Sequence, residues 1–97
     1  MRISRSYINN AQRENAIAEI GEGTVLRIVE FRDKGIALSI TDTGVILMNN
    51  IRTHKLITKV IARPQQIKKL YAILQEEPPP ALLRKAYKNN AARLNEI

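Results

Sequence analysis

The chain has 97 residues, 44% of them hydrophobic, which is enough for one core and points to a single domain over 1–97. Sixteen Lys and Arg against nine Asp and Glu leave a net charge of +7, a balance that favours a polyanionic partner without naming its chemistry. With no cysteine and one histidine, His54, the chain excludes a disulfide framework, thiol catalysis and a Cys- or His-based metal site of its own, and no cofactor is expected.

No apolar run approaches the ~20 residues that a membrane span requires, and the opening MRISRSYINN has no apolar stretch behind its basic residues. A cytoplasmic protein with no membrane partner is the expectation. Arg2 to Ile8 alternates and reads as an edge strand or an extended arm. Asn9 or Asn10 caps a first helix running to about Ile20, with Ala16, Ile17 and Ile20 on a narrow apolar face and Gly21 at its C-terminal end.

The middle of the chain reads as a β-meander. Thr24 to Phe31, Ile36 to Ile40, Val45 to Met48 and Leu56 to Ala62 are rich in β-branched and apolar residues and predict four strands. Their connections, Asp33-Lys34-Gly35, Asp42-Thr43-Gly44 and Arg52-Thr53-His54, each suit a short turn that ends in a left-handed residue. Only the third lacks glycine. After Arg63-Pro64 the period lengthens to that of a helix, with Ile67, Leu70, Ile73 and Leu74 on one face. Glu76-Glu77 and the triple proline at 78–80 stop it, and a last helix over about Ala81 to Asn95 presents Leu83, Tyr87, Ala91 and Leu94. The predicted fold class is therefore α+β: an N-terminal helix, a four-stranded antiparallel meander and two C-terminal helices.

The charge is unevenly spread. Residues 1–50 hold six basic and six acidic residues, whereas 51–97 hold ten basic residues against Glu76, Glu77 and Glu96. Between Arg52 and Lys69 there is no acid at all. On a regular fourth strand Lys55, Ile57, Lys59, Ile61 and Arg63 share a face, since alternate residues point the same way. That stripe, with Arg52, Lys68 and Lys69, forms the expected nucleic-acid-binding set, and Arg84, Lys88 and Arg93 extend it. The bland alternative is a solvated face, with Ile57 and Ile61 partly covered and the long side chains reaching out past them. Aromatic residues are few: Tyr7, Phe31, Tyr71 and Tyr87. Tyr71 and Tyr87 read as core or boundary residues, so phosphate contact is better supported than base stacking.

Catalytic chemistry has one candidate. The glycines at 21, 23, 35 and 44 fit no phosphate-cradling loop. His54 is the candidate acid or base, with Arg52, Lys55 or Lys59 stabilising charge on phosphorus. Against this, His54 stands where the other two turns place glycine, and histidine tolerates left-handed backbone better than most residues.

A helix followed by a four-strand meander that closes with Arg52-Thr53-His54-Lys55-Leu56-Ile57-Thr58 resembles, over residues 5–63, the small ribonuclease toxins of the barnase, colicin and RelE type, many of them carried by phages and mobile elements. The resemblance implies metal-independent RNA cleavage by Arg5, Arg13, His54 and Lys59. The two C-terminal helices and the triple proline depart from that compact plan.

The leading expectation is a small basic protein, more binder than enzyme, that grips RNA or DNA phosphates through Arg52, Lys55, Lys59, Arg63, Lys68 and Lys69. The alternatives are a phage-type inhibitor that binds an acidic surface of a host nuclease or other protein, and the ribonuclease toxin. A homodimer through an exposed strand edge or the last helix is a further option.

Overall fold

The computed structural model describes residues 20–94. Four strands, β1 (Val25–Phe31), β2 (Ile36–Thr41), β3 (Val45–Asn50) and β4 (Leu56–Ile61), precede two helices, α1 (Pro64–Ile73) and α2 (Pro80–Leu94). Strand order in the sheet equals chain order and every pair is antiparallel, as the meander predicted.

The expected fold class requires a correction. Among the described residues the order is four strands and then two helices, with no helical element ahead of the sheet. The first helix expected over 9–20, and the strand or arm expected over 2–8, lie outside the described residues but for Ile20. Among the described residues the main core is closed by α1 and α2, while Ile20 packs on the opposite sheet face against Val45 and Ile61.

Pairing register explains which side chains meet. Val29, Leu38, Ile40, Ile46 and Val60 share one sheet face with Ala62, and on them sit Ile67, Leu70 and Tyr71 of α1 and Leu82 and Ala86 of α2. The other face carries Ser39, Thr41, Val45, Leu47, Lys59 and Ile61. Thr41 is fully buried there. Its hydroxyl donates to the Val45 carbonyl at 3.0 Å and accepts the Val45 N–H at 3.2 Å, so the β2–β3 turn closes without an unsatisfied polar group.

Turn chemistry fixes the register. The β1–β2 turn closes with Lys34 N–H to Phe31 O at 3.0 Å and ends on Gly35 at φ 70°. In the β3–β4 turn the Asn50 side-chain oxygen accepts the Arg52 and Thr53 N–H groups at 2.9 and 3.0 Å, and His54 takes the left-handed place at φ 61°. The expected equivalence of His54 with the turn glycines is thus present in the backbone.

The helix boundaries also have local causes. Arg63 caps α1, its N–H bound by the Gln66 side chain at 2.8 Å, and Pro64 takes the first turn, where a missing N–H costs nothing. The helix ends ahead of the prolines. Gln75 adopts φ 59°, its N–H reaches Ala72 O at 3.0 Å and the Glu76 N–H reaches Tyr71 O at 3.0 Å, the paired closure of a Schellman motif. Pro80 then begins α2, so the proline run starts the second helix as well as following the first.

Two helix faces differ from expectation. On α1 Tyr71 takes the buried place expected for Ile73, which is 55% exposed. On α2 the buried residues are Leu82 and Ala86, with Leu83 half-buried and Tyr87 and Ala91 exposed. The reason is that α2 packs over the end of the sheet that carries the β2–β3 turn: the Asn89 side-chain amide donates to Thr43 O at 3.0 Å and that of Asn90 to Ala62 O at 2.9 Å. Those two bonds rotate the helix so that its asparagines, rather than Tyr87, face the sheet.

Candidate nucleic-acid interface

The expected basic stripe does not form on β4. Between Met48 and Asn49 the β3–β4 register shifts, so that Thr58 and Leu56 are the paired residues and Ile57 is the extra one of a bulge. Leu56, rather than Ile57, then shares a face with Lys59 and Ile61. Lys55 lies ahead of the strand in the turn and Arg63 beyond it at the α1 cap. Lys59 remains on β4, one-third exposed, with its ammonium paired to the Glu22 carboxylate. Lys59 also lies on the sheet face opposite α1 and α2, apart from the cations of the helices.

The remaining expected residues fall into two groups. Arg52, His54 and Lys55 are exposed in the β3–β4 turn. The β1–β2 turn leaves the sheet at the same end, tied to it by Ile51 N–H to Gly35 O at 3.0 Å, and it adds Arg32 and Lys34 with Asp33. Neither Arg32 nor Lys34 belongs to the binding set expected from the sequence, although an antiparallel meander always returns alternate turns to one end. The second group lies on the helical layer: Arg63, Lys68 and Lys69 together with Arg84, Lys85 and Lys88, all exposed. Lys85 is the addition there.

Neutralisation is sparse around these groups. Three ion pairs occur among the described residues: Lys59 with Glu22, Arg27 with Glu76 at 2.9 Å, and Arg32 with Glu30 at 3.4 Å. The Asp42 carboxylate is held by the Thr24 N–H at 2.8 Å. The helical layer from Arg63 to Ala91 therefore shows six cations against Glu76 and Glu77, and Glu76 is engaged by Arg27 of β1. That bond and charge hold the Arg27 guanidinium above its ordinary range.

His54 donates its backbone N–H to Asn50 O at 2.8 Å, and among the described residues no side chain bonds the imidazole. Arg5 and Arg13, the other residues that the ribonuclease resemblance implies, lie outside the described residues. No group of His, Asp and Glu suited to a metal ion occurs among the described residues. No helix among them is long and apolar enough to cross a membrane.

Beside the helical layer is an apolar groove of about 370 Å³. Its floor is Phe31, Leu38, Met48 and Val60 on the helix side of the sheet, and its wall is the α1 flank with Lys69, Leu70 and Ile73. No family model matches the chain, and neither a curated protein nor a solved structure matches it.

Proposed function

We propose that the protein binds nucleic acid through phosphates, using Arg63, Lys68, Lys69, Arg84, Lys85 and Lys88 on the helical layer, with Arg52 and Lys55 at the turn end of the sheet contributing. The observation that carries this reading is the exposure of those cations with no ion pair among the described residues. Arg84 and Lys88 stand four apart on α2 and Lys85 and Lys88 three apart, so like charges are surface neighbours, each such pair costing about 0.2–0.5 kcal/mol in an isolated helix. Phosphates laid across the layer relieve that repulsion and release counterions, the general source of affinity for nucleic acids.

The contact is with the backbone rather than the bases. Tyr71 is buried in the core, which removes it as a stacking platform, and Tyr87 is the exposed ring on the layer. Binding should therefore discriminate little between sequences. Fluorescence titration with labelled RNA, single-stranded DNA and duplex DNA tests the assignment. Replacing Lys68 and Lys69 together by Gln should weaken binding about tenfold, a loss of about 1.4 kcal/mol, whereas Lys59→Gln should leave it nearly unchanged. Equal losses in both variants would defeat the helical-layer assignment.

A further inference from the structure

We infer that the groove between α1 and the turn end of the sheet is a docking site for an acidic amphipathic helix of a partner protein. The groove crosses all four strands on the helix side, with Phe31 from β1, Leu38 from β2, Met48 from β3 and Val60 from β4. α1 leaves β4 after two residues and ends where Glu76 meets Arg27 of β1, so it spans the sheet and forms one continuous wall. Packing by α1 and α2 covers the other half of this face and leaves Ile73 more than half exposed at the groove's edge.

The lining selects apolar side chains. A cavity of about 150 Å³ holds a benzene-sized group, so the groove's 370 Å³ holds roughly two such side chains. Gln66, Lys69, Leu70 and Ile73 follow one another along the wall at helical spacing. From Gln66 to Ile73 the helix rises about 10 Å, room for two anchors of a parallel helix one turn of about 5.4 Å apart. A nucleobase suits the groove poorly, because its edge needs polar partners that only Thr58, Gln66 and Lys69 could offer. The Gln66 oxygen is already bound by the Arg63 N–H.

Charge decides the flanks of the partner. Lys69 is the charged residue of the lining, and no carboxylate contributes to it. The two turns at the open end add Lys34, Arg52 and Lys55 against Asp33, together with Arg32, which is paired with Glu30 at 3.4 Å, within a few residues of Phe31, Met48 and Thr58. A second copy of this chain, itself at +7, would bring the same sign to that rim. Carboxylates beside two apolar anchors complement it.

The test uses the full chain and three synthetic 16-residue helical peptides: one of Glu and Ala with Leu and Phe four apart, one with every Glu replaced by Lys, and one with Leu and Phe replaced by Ala. Amide chemical shifts are followed by NMR. The acidic peptide should bind at least tenfold more tightly than the other two, shift the amides of Phe31, Met48, Thr58 and Ile73, and lose at least tenfold on Ile73→Glu or Lys69→Glu. Ile73 and Lys69 are exposed, so both variants fold. Equal binding of acidic and basic peptides, or shifts confined to the outer surfaces of α1 and α2, would overturn the inference. So would a single-stranded DNA 12-mer that by itself shifts the same four amides, which assigns the groove to nucleic acid. Ile73→Glu adds a charge beside the helical layer without removing a cation, so failure here leaves the Lys68 and Lys69 result to be read on its own.

Discussion

Replacing His54 by glycine should stabilise the protein. At φ 61° an L-residue pays about 1–2 kcal/mol for its Cβ, and glycine escapes that cost but loses about 0.5–1 kcal/mol more in unfolded-chain entropy. The imidazole is exposed and the bond that His54 makes is a backbone one to Asn50, which glycine retains. The net gain is about 0.5–1 kcal/mol, or about 2–8 °C in melting temperature for a domain of this size. Urea denaturation followed by circular dichroism measures it, with His54→Val as the opposite control, because a β-branched residue is poorly tolerated at positive φ. The same samples incubated with labelled RNA report cleavage. A lower midpoint for His54→Gly than for the natural chain would refute the turn argument, and a stable variant that had lost RNA cleavage would return His54 to catalysis.

Three further outcomes follow from the core and its titration. Ile67→Ala, at a fully buried position on the sheet-facing side of α1, should cost about 2–5 kcal/mol, read as a shift of the urea midpoint at constant slope. Thr41→Val keeps the side chain's shape but leaves the buried Val45 N–H without its acceptor, and should cost about 1–3 kcal/mol by the same assay. Burial pushes the Tyr71 phenol above its ordinary value, with Glu76 adding to that and Arg27 opposing it. The native state then holds the phenolic proton more tightly than the unfolded chain, so the associated stability is complete below about pH 10 and is lost as pH rises beyond it. Thermal melts from pH 8 to 11 should fall less steeply for Tyr71→Phe than for the natural chain.

The meander was legible because its signals are local. β-branched runs and turn residues at 33–35, 42–44 and 52–54 fix the strands and their antiparallel order, and even the histidine in a glycine's place could be read. The functional surface was less legible, for two physical reasons. A bulge at Ile57 depends on how β3 pairs with β4, and no single-strand alternation reveals it. The pairing of Lys59 with Glu22 joins residues 37 positions apart, which charge counts along the chain cannot show. Similarly, Tyr87 follows a helical period that suggests burial, yet Asn89 and Asn90 turn α2 by bonding to carbonyls at the sheet's end. Here polar side chains bound to backbone carbonyls outrank an apolar stripe, because the helix crosses a sheet end rather than lying along it.

The dependence of nucleic-acid affinity on salt tests the phosphate-directed reading most directly. Titrations of labelled duplex DNA between 50 and 200 mM salt should give log affinity falling linearly with log salt, and replacing Lys68, Lys69 and Lys85 together by Gln should flatten that slope by about 2.7, about 0.9 for each lost phosphate contact. An affinity indifferent to salt, or a slope that the triple replacement leaves intact, would contradict the account.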